Sequence, residues 1–215
     1  MKKATVLVFA LVILALTSFA IAADSDEQPA SAQYQIVIGG QAPMLTTGEG
    51  DSKLDVLGVR ASIHILNAGG GTDSVYFTYA GLTSAPTSWL WLSGQGGFVG
   101  NYDPSGYDAP LASLWMNITP FAKGDHGIAI FGEEDAYFLR NGDVDYYSFG
   151  ALDYTYKMVK VGGQIEGINQ IDLATYGPHL GFLKGPFEFQ AQYYGSFEKE
   201  LENTHIVRLN FTAMF

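Results

Sequence analysis

Residues 205–215 read HIVRLNFTAMF, and their period decides the fold. From Val207 every second residue is apolar: Val207, Leu209, Phe211, Ala213 and Phe215. Arg208, Asn210 and Thr212 stand between them, followed by Met214. Successive side chains of a strand point to opposite faces, so the stretch reads as a β-strand with one apolar and one polar face. It ends on an aromatic ring with no polar tail after it.

The same period recurs upstream. In residues 54–66, Leu57, Val59, Ala61, Ile63 and Ile65 share one face, and Gly58, Arg60, Ser62 and His64 share the other. In residues 152–158, Leu152, Tyr154 and Tyr156 oppose Asp153, Thr155 and Lys157. Lys160, Gly162, Gln164 and Glu166 oppose Val161, Gly163, Ile165 and Gly167, and Glu188, Gln190, Gln192 and Tyr194 oppose Phe187, Phe189, Ala191 and Tyr193. Residues 75–79 place Val75, Phe77 and Tyr79 together, and residues 111–119 set Ser113, Trp115 and Asn117 against Ala112, Leu114, Met116 and Ile118. Residues 126–139 read as one strand with a polar interruption at Glu133, Glu134 and Asp135. Several of these runs exceed the five or six residues of an ordinary globular strand. They suit the 9–11 residues of a tilted membrane strand.

Turn chemistry divides the runs. Asn141-Gly142 is a strong hairpin signal, since it supplies the left-handed backbone of a tight turn. Residues 67–73 (NAGGGTD) and 97–110 (GFVGNYDPSGYDAP) read as turn and loop. Proline marks three further breaks, at Pro43 within a loop over residues 41–53, at Pro86 and at Pro120. About eleven strand candidates result, the weakest being 34–39, the strand beginning at Trp89, and the run before Lys184.

The closing strand resembles that of Gram-negative outer-membrane β-barrels, which end on an aromatic residue after alternating apolar positions. The resemblance implies an all-β antiparallel transmembrane β-barrel. It makes Val207, Leu209, Phe211, Ala213 and Phe215 an assembly signal read by the outer-membrane assembly machinery. Bacterial single-chain barrels carry an even number of strands, so ten or twelve are expected, with eight as a floor. Residues 185–197 (GPFEFQAQYYGSF), with the terminal strand, are similar to wall strands of phosphate-selective and related porins. Without a repeated basic ladder, only the outer-membrane character carries over. A secreted β-sandwich or a lipocalin-like barrel is the alternative, since its strands alternate too.

The N-terminal residues fit export. Lys2 and Lys3 precede an apolar run over residues 4–16, and Ala20-Ile21-Ala22 supplies small residues for cleavage. The expected organisation is a signal peptide over 1–22, a polar leader over 23–33, and one β-barrel over 34–215. There is no cysteine, so no disulfide. The formal net charge of −11 becomes −13 once Lys2 and Lys3 are removed, which argues against nucleic acid as a partner.

The polar strand faces nominate a lumen lined by Arg60, His64, Asp153, Lys157, Lys160, Glu166, Glu188 and Arg208. Packed side chains and paired charges fill a narrow barrel, whereas a wider one leaves a pore. Catalytic signals are thin. The four histidines show no metal-binding spacing, and no phosphate-cradling loop or nucleophile elbow appears. Ser62 and His64 share a face, a pairing read as lumen polarity. Asn101, Asp103, Ser105 and Asp108 space oxygen donors along one loop without an EF-hand pattern, so turn formation is the default. No cofactor, metal or enzymatic activity is expected. The function classes are a small porin or channel, a structural, adhesive or oligomer-forming surface barrel, and a secreted binding module. Partners are outer-membrane lipids and the assembly machinery, with a homo-oligomer or envelope component open.

Overall fold

Alternating side chains turn each of these runs into one stave of a wall. The structure, a computed structural model, describes residues 31–50, 53–67, 74–101, 106–169, 175–196 and 205–215. The strands are β1 (Ser31–Thr47), β2 (Leu54–Asn67), β3 (Val75–Thr87), β4 (Leu90–Gly100), β5 (Ala109–Lys123) and β6 (His126–Phe138). They continue as β7 (Val144–Tyr156), β8 (Val159–Ile168), β9 (Thr175–Lys184), β10 (Phe187–Tyr194) and β11 (Ile206–Met214). Each pairs antiparallel with its chain neighbour, and β11 pairs with β1 to close the barrel.

The strand number is eleven, not ten or twelve. Parity explains how the ring closes. In an up-and-down meander of eleven strands the first and last run the same way, so the seam must be parallel. It is: Gln33 stands opposite Arg208, Gln35 opposite Asn210, and Gly39 opposite Met214. Backbone bonds from Phe215 N to Gly39 O (3.0 Å) and from Gln41 N to Phe215 O (2.8 Å) finish it.

Three expected breaks are strand instead. β1 runs through Pro43 to Thr47, β3 through Pro86 to Thr87, and β5 through Pro120 to Lys123. Each carries a register shift beside its proline: between Pro43 and Leu45, between Ser84 and Thr87, and between Ile118 and Phe121. Proline cannot donate to a ladder, but a bulge or an edge removes the need. Pro43 has both, because β1 outruns the end of β11 there. β1 also takes in residues 31–33, which the sequence assigns to a leader. The signal-peptide reading of residues 1–22 lies outside the described residues.

The two rims differ. One carries the short connections 88–89, 124–125, 157–158 and 185–186, with the longer 48–53. The other carries the connections 68–74, 101–108, 139–143, 169–174 and 195–205. The Asn141-Gly142 hairpin forms on this second rim as its sequence predicts. Gly142 takes φ 92°, and Asn141 Oδ1 accepts from Asp143 N at 3.0 Å.

Outward positions between the rims are mostly aliphatic or small, and aromatic rings collect at both ends. Tyr34, Phe98, Phe138 and Tyr146 stand exposed near the long-loop rim, and Trp89, Phe121, Tyr156 and Phe187 near the short-turn rim. Buried apolar packing lies inside the barrel, where Tyr79, Val99, Ala109, Leu111, Trp115 and Tyr137 form one cluster.

Candidate functional site: the barrel lumen

The inward faces divide the lumen into two unlike halves. On β3 to β6 it is lined by rings. Trp115 lies 5.4 Å from Tyr79 between ring centroids and 5.9 Å, edge-on, from Phe131. Asp135 is buried among these rings, and a buried carboxylate must be hydrogen-bonded to be tolerated. It accepts from Tyr79 Oη at 2.8 Å, from Tyr137 Oη at 3.2 Å and from Ser113 Oγ. The Glu133-Glu134-Asp135 run is therefore no interruption of β6. Asp135 points inward and Glu134 outward, as strand alternation requires.

The opposite half, on β7 to β11, is polar and closely paired. Arg208 holds Glu166 through two parallel bonds, Nη2 to Oε1 at 2.8 Å and Nη1 to Oε2 at 2.9 Å. Its remaining donors reach Tyr194 Oη at 3.1 Å and Gln33 Oε1 at 3.0 Å. The planar guanidinium fork suits this bidentate grip. Toward the short-turn rim, Lys160 pairs with Glu188 and lies 3.6 Å from Asp153. Asp153 in turn meets His179 Nε2 at 2.5 Å. Gly162 stands between Asp153 and His179 in register, and a β-carbon there would fall 2.6 Å from the imidazole. Glycine is what lets the two side chains meet across β8.

Arg60 and His64 enter from β2. The Arg60 guanidinium lies over the rings of Trp115 at 4.5 Å and Trp91 at 5.5 Å. His64 Nε2 is 3.2 Å from Ser62 Oγ, and among the described residues no carboxylate is paired with the imidazole. Among the described residues the pair has no third member of a nucleophilic triad beside it.

Between the halves runs a cavity of about 680 Å³. Its lining includes Leu183 and Glu188 near the short-turn rim and Leu66 and Val75 near the long-loop rim, so it extends along the barrel axis.

Seven of the eight nominated lumen residues face this interior: Arg60, His64, Asp153, Lys160, Glu166, Glu188 and Arg208. Lys157 does not. It sits in the β7–β8 turn at φ 55°, exposed, with Nζ 5.3 Å from the Tyr156 ring centre. The two-residue turn takes Lys157 and Met158 out of the strand period. On β11 the outward set is Val207, Leu209, Phe211, Ala213 and Phe215. Phe187 stacks on Phe211 at 6.1 Å and meets Phe215 edge-on at 5.9 Å.

The sequence reading missed Tyr79, Trp115, Glu133, Asp135, Tyr137 and Tyr194 as lumen residues. The signal was present, since Val75, Phe77 and Tyr79 share a face. Only the assumption that polar faces alone turn inward hid it. Among the described residues no group of three His, Cys, Asp or Glu side chains is placed to hold a metal ion. Of the loop donors, Asp103 and Ser105 lie outside the described residues, and Asn101 Nδ2 donates to Ser74 O at 3.0 Å. No family model, curated protein or solved structure matches the chain.

Proposed function

We propose that this chain spans the Gram-negative outer membrane as a barrel and acts as a narrow channel for small solutes. The observation that carries the channel is the 680 Å³ cavity, whose lining reaches from one rim to the other. Charged groups of both signs border it. The amphipathic lumen favours small solutes with a polar and an apolar part.

The outer wall supports the membrane reading. Large apolar side chains such as Ile38, Ile63, Leu82, Leu114 and Leu152 are more than half exposed. Soluble proteins rarely display a contiguous apolar surface of this extent. Tyr146 and Tyr154 cap an outward band on β7 and lie eight residues apart. At the usual strand rise and tilt this is about 20 Å along the axis, close to the apolar band of an outer-membrane barrel. Closure without open edges is what lipid demands of a sheet. Short turns on one rim and longer loops on the other match periplasmic and extracellular ends. This arrangement fits entry through the assembly machinery, with the β11 face as its signal.

Planar-bilayer recording of the refolded protein tests the channel. Discrete conductance steps are expected. Their absence from a preparation with heat-modifiable gel migration would overturn transport while leaving the barrel. A structural surface barrel is the second reading, favoured by the aromatic cluster that fills the β3–β6 half of the lumen.

A further inference from the structure

Two arginines enter the lumen, and their surroundings are opposite. Arg208 is saturated by Glu166, Tyr194 and Gln33. Arg60 has no carboxylate of the described residues within 4.0 Å of its guanidinium. Among the described residues its guanidinium bonds the Met214 thioether, 3.7 Å from Nη2, a weak acceptor. Glu133 acts on it only through space.

Arg60 Nε is moreover buried without any partner. The other buried side-chain polar atoms left without a partner among the described residues are on β3 to β5: Thr83 Oγ1, Thr87 Oγ1, both amide atoms of Gln95, and Trp115 Nε1. The indole N–H of Trp115 is buried and directed toward the Asp135 carboxylate. Native proteins leave few such groups, and each one asks for an explanation. Of these residues, Arg60 and Trp115 line the cavity. The Arg60 guanidinium lies at the cavity wall over the rings of Trp91 and Trp115, with Phe131 edge-on to Trp115, whereas the Trp115 indole nitrogen is buried.

We propose that the lumen holds a binding site for a small aromatic carboxylate, its acid group on Arg60 and its ring against Trp115. The guanidinium fork would meet carboxylate oxygens. The ring surfaces would take the apolar body, and a cavity of this volume is within the range of small-ligand pockets. Arg208 and Lys160 already hold the Glu166 and Glu188 carboxylates, and Glu133, which lines the same cavity and attracts Arg60 through space, is the carboxylate that a bound acid has to compete with. The site rests on the lumen being open to solutes, but not on transport.

Tryptophan quenching in the refolded, detergent-solubilised barrel tests it. Two of the three tryptophans, Trp91 and Trp115, line the cavity, and Trp89→Phe removes the third from the outer wall. 4-Nitrobenzoate should quench saturably. 4-Nitrobenzamide, neutral and of the same shape, should bind at least tenfold more weakly. Arg60→Gln should abolish that discrimination, Arg60→Lys should keep part of it, and Arg140→Gln, an equal charge change on an exposed loop residue, should leave it intact. Equal quenching by acid and amide, or unaltered discrimination in a folded Arg60→Gln barrel, overturns the site. So does a preference for 4-nitrobenzylammonium, which would put the ligand on Glu133 and Asp135. A barrel that conducts ions but fails these tests keeps the channel and loses the site. One that binds without conducting does the reverse.

Discussion

Arg208 Nε donates to Gln33 Oε1 at 3.0 Å across the one parallel seam of the barrel. The two residues stand opposite each other in register, as do Gln35 and Asn210, joined at 3.2 Å. Parallel pairing is slightly less stable per residue than antiparallel. Side-chain bonds on the lumen face supplement it where an odd strand number forces it. Arg208 also reaches across the lumen face to Glu166 on β8, so the seam is tied to a strand three places along the wall and not only to its neighbour.

Removing one partner of this pair should cost much more than removing both. Arg208→Met leaves the largely buried Glu166 carboxylate without a counter-charge, held only by the Tyr147 hydroxyl, a loss of about 3 kcal/mol. The double change Arg208→Met with Glu166→Met should recover most of it, because two charges no longer need solvation. Gln33→Ala removes one charge-assisted bond and should cost about 1–2 kcal/mol. Urea titration of the refolded barrel, followed by gel migration, gives all three. A single Arg208→Met variant as stable as the parent would deny the seam its anchor.

Lys160 sits between Glu188 and Asp153 near the short-turn rim and neutralises part of their charge. Lys160→Gln should make the passage more cation-selective, moving the reversal potential in a salt gradient by a few-fold change in permeability ratio. The shift should shrink at high salt, where exposed charges are screened. An unchanged reversal potential in a conducting variant would place the ion path away from these residues.

Much of the wall was legible because lipid-like and lumen faces alternate with period two. β2, β7, β8, β10 and β11 have the inward and outward sets their sequences predict. Pro43, Pro86 and Pro120 misled, since a missing N–H reads as a break and a bulge is set by the partner strand, not by the local sequence. The strand count went astray for another reason: eleven runs are visible, and only the parity rule argued one away. The paired state of Arg208 and the solitary state of Arg60 were not legible. Both lie on polar strand faces, and Glu166 is 42 positions from Arg208 in the chain.

Glu134 is the outward carboxylate of β6, bonded to Ser148 Oγ at 2.6 Å and flanked in register by Leu114. On a wall that faces lipid such a group is destabilising, less so than a basic residue would be. Glu134→Leu should raise stability by up to ~1 kcal/mol in detergent or bilayer, and solubility without detergent should not return. On a water-facing wall the same change would enlarge an exposed apolar patch and promote aggregation. Unfolding titrations in phospholipid bilayers against the parent separate these outcomes, and destabilisation there would count against the membrane reading.

Phe215 separates folding from assembly. Its backbone completes the seam with Gly39 and Gln41, whereas its ring is 69% exposed and touches Phe187 edge-on. Phe215→Ala keeps both backbone bonds and loses the ring. Because the ring buries little, stability of the refolded barrel should change by less than about 1 kcal/mol. If the face of Val207, Leu209, Phe211, Ala213 and Phe215 is what the assembly machinery reads, the consequence in cells is far larger. The amount of heat-modifiable barrel in outer-membrane fractions of a Gram-negative host should fall several-fold, with unfolded chain accumulating in the periplasm. Equal assembly of parent and variant, at equal synthesis, would remove the ring from the signal and leave Phe215 as a seam residue alone.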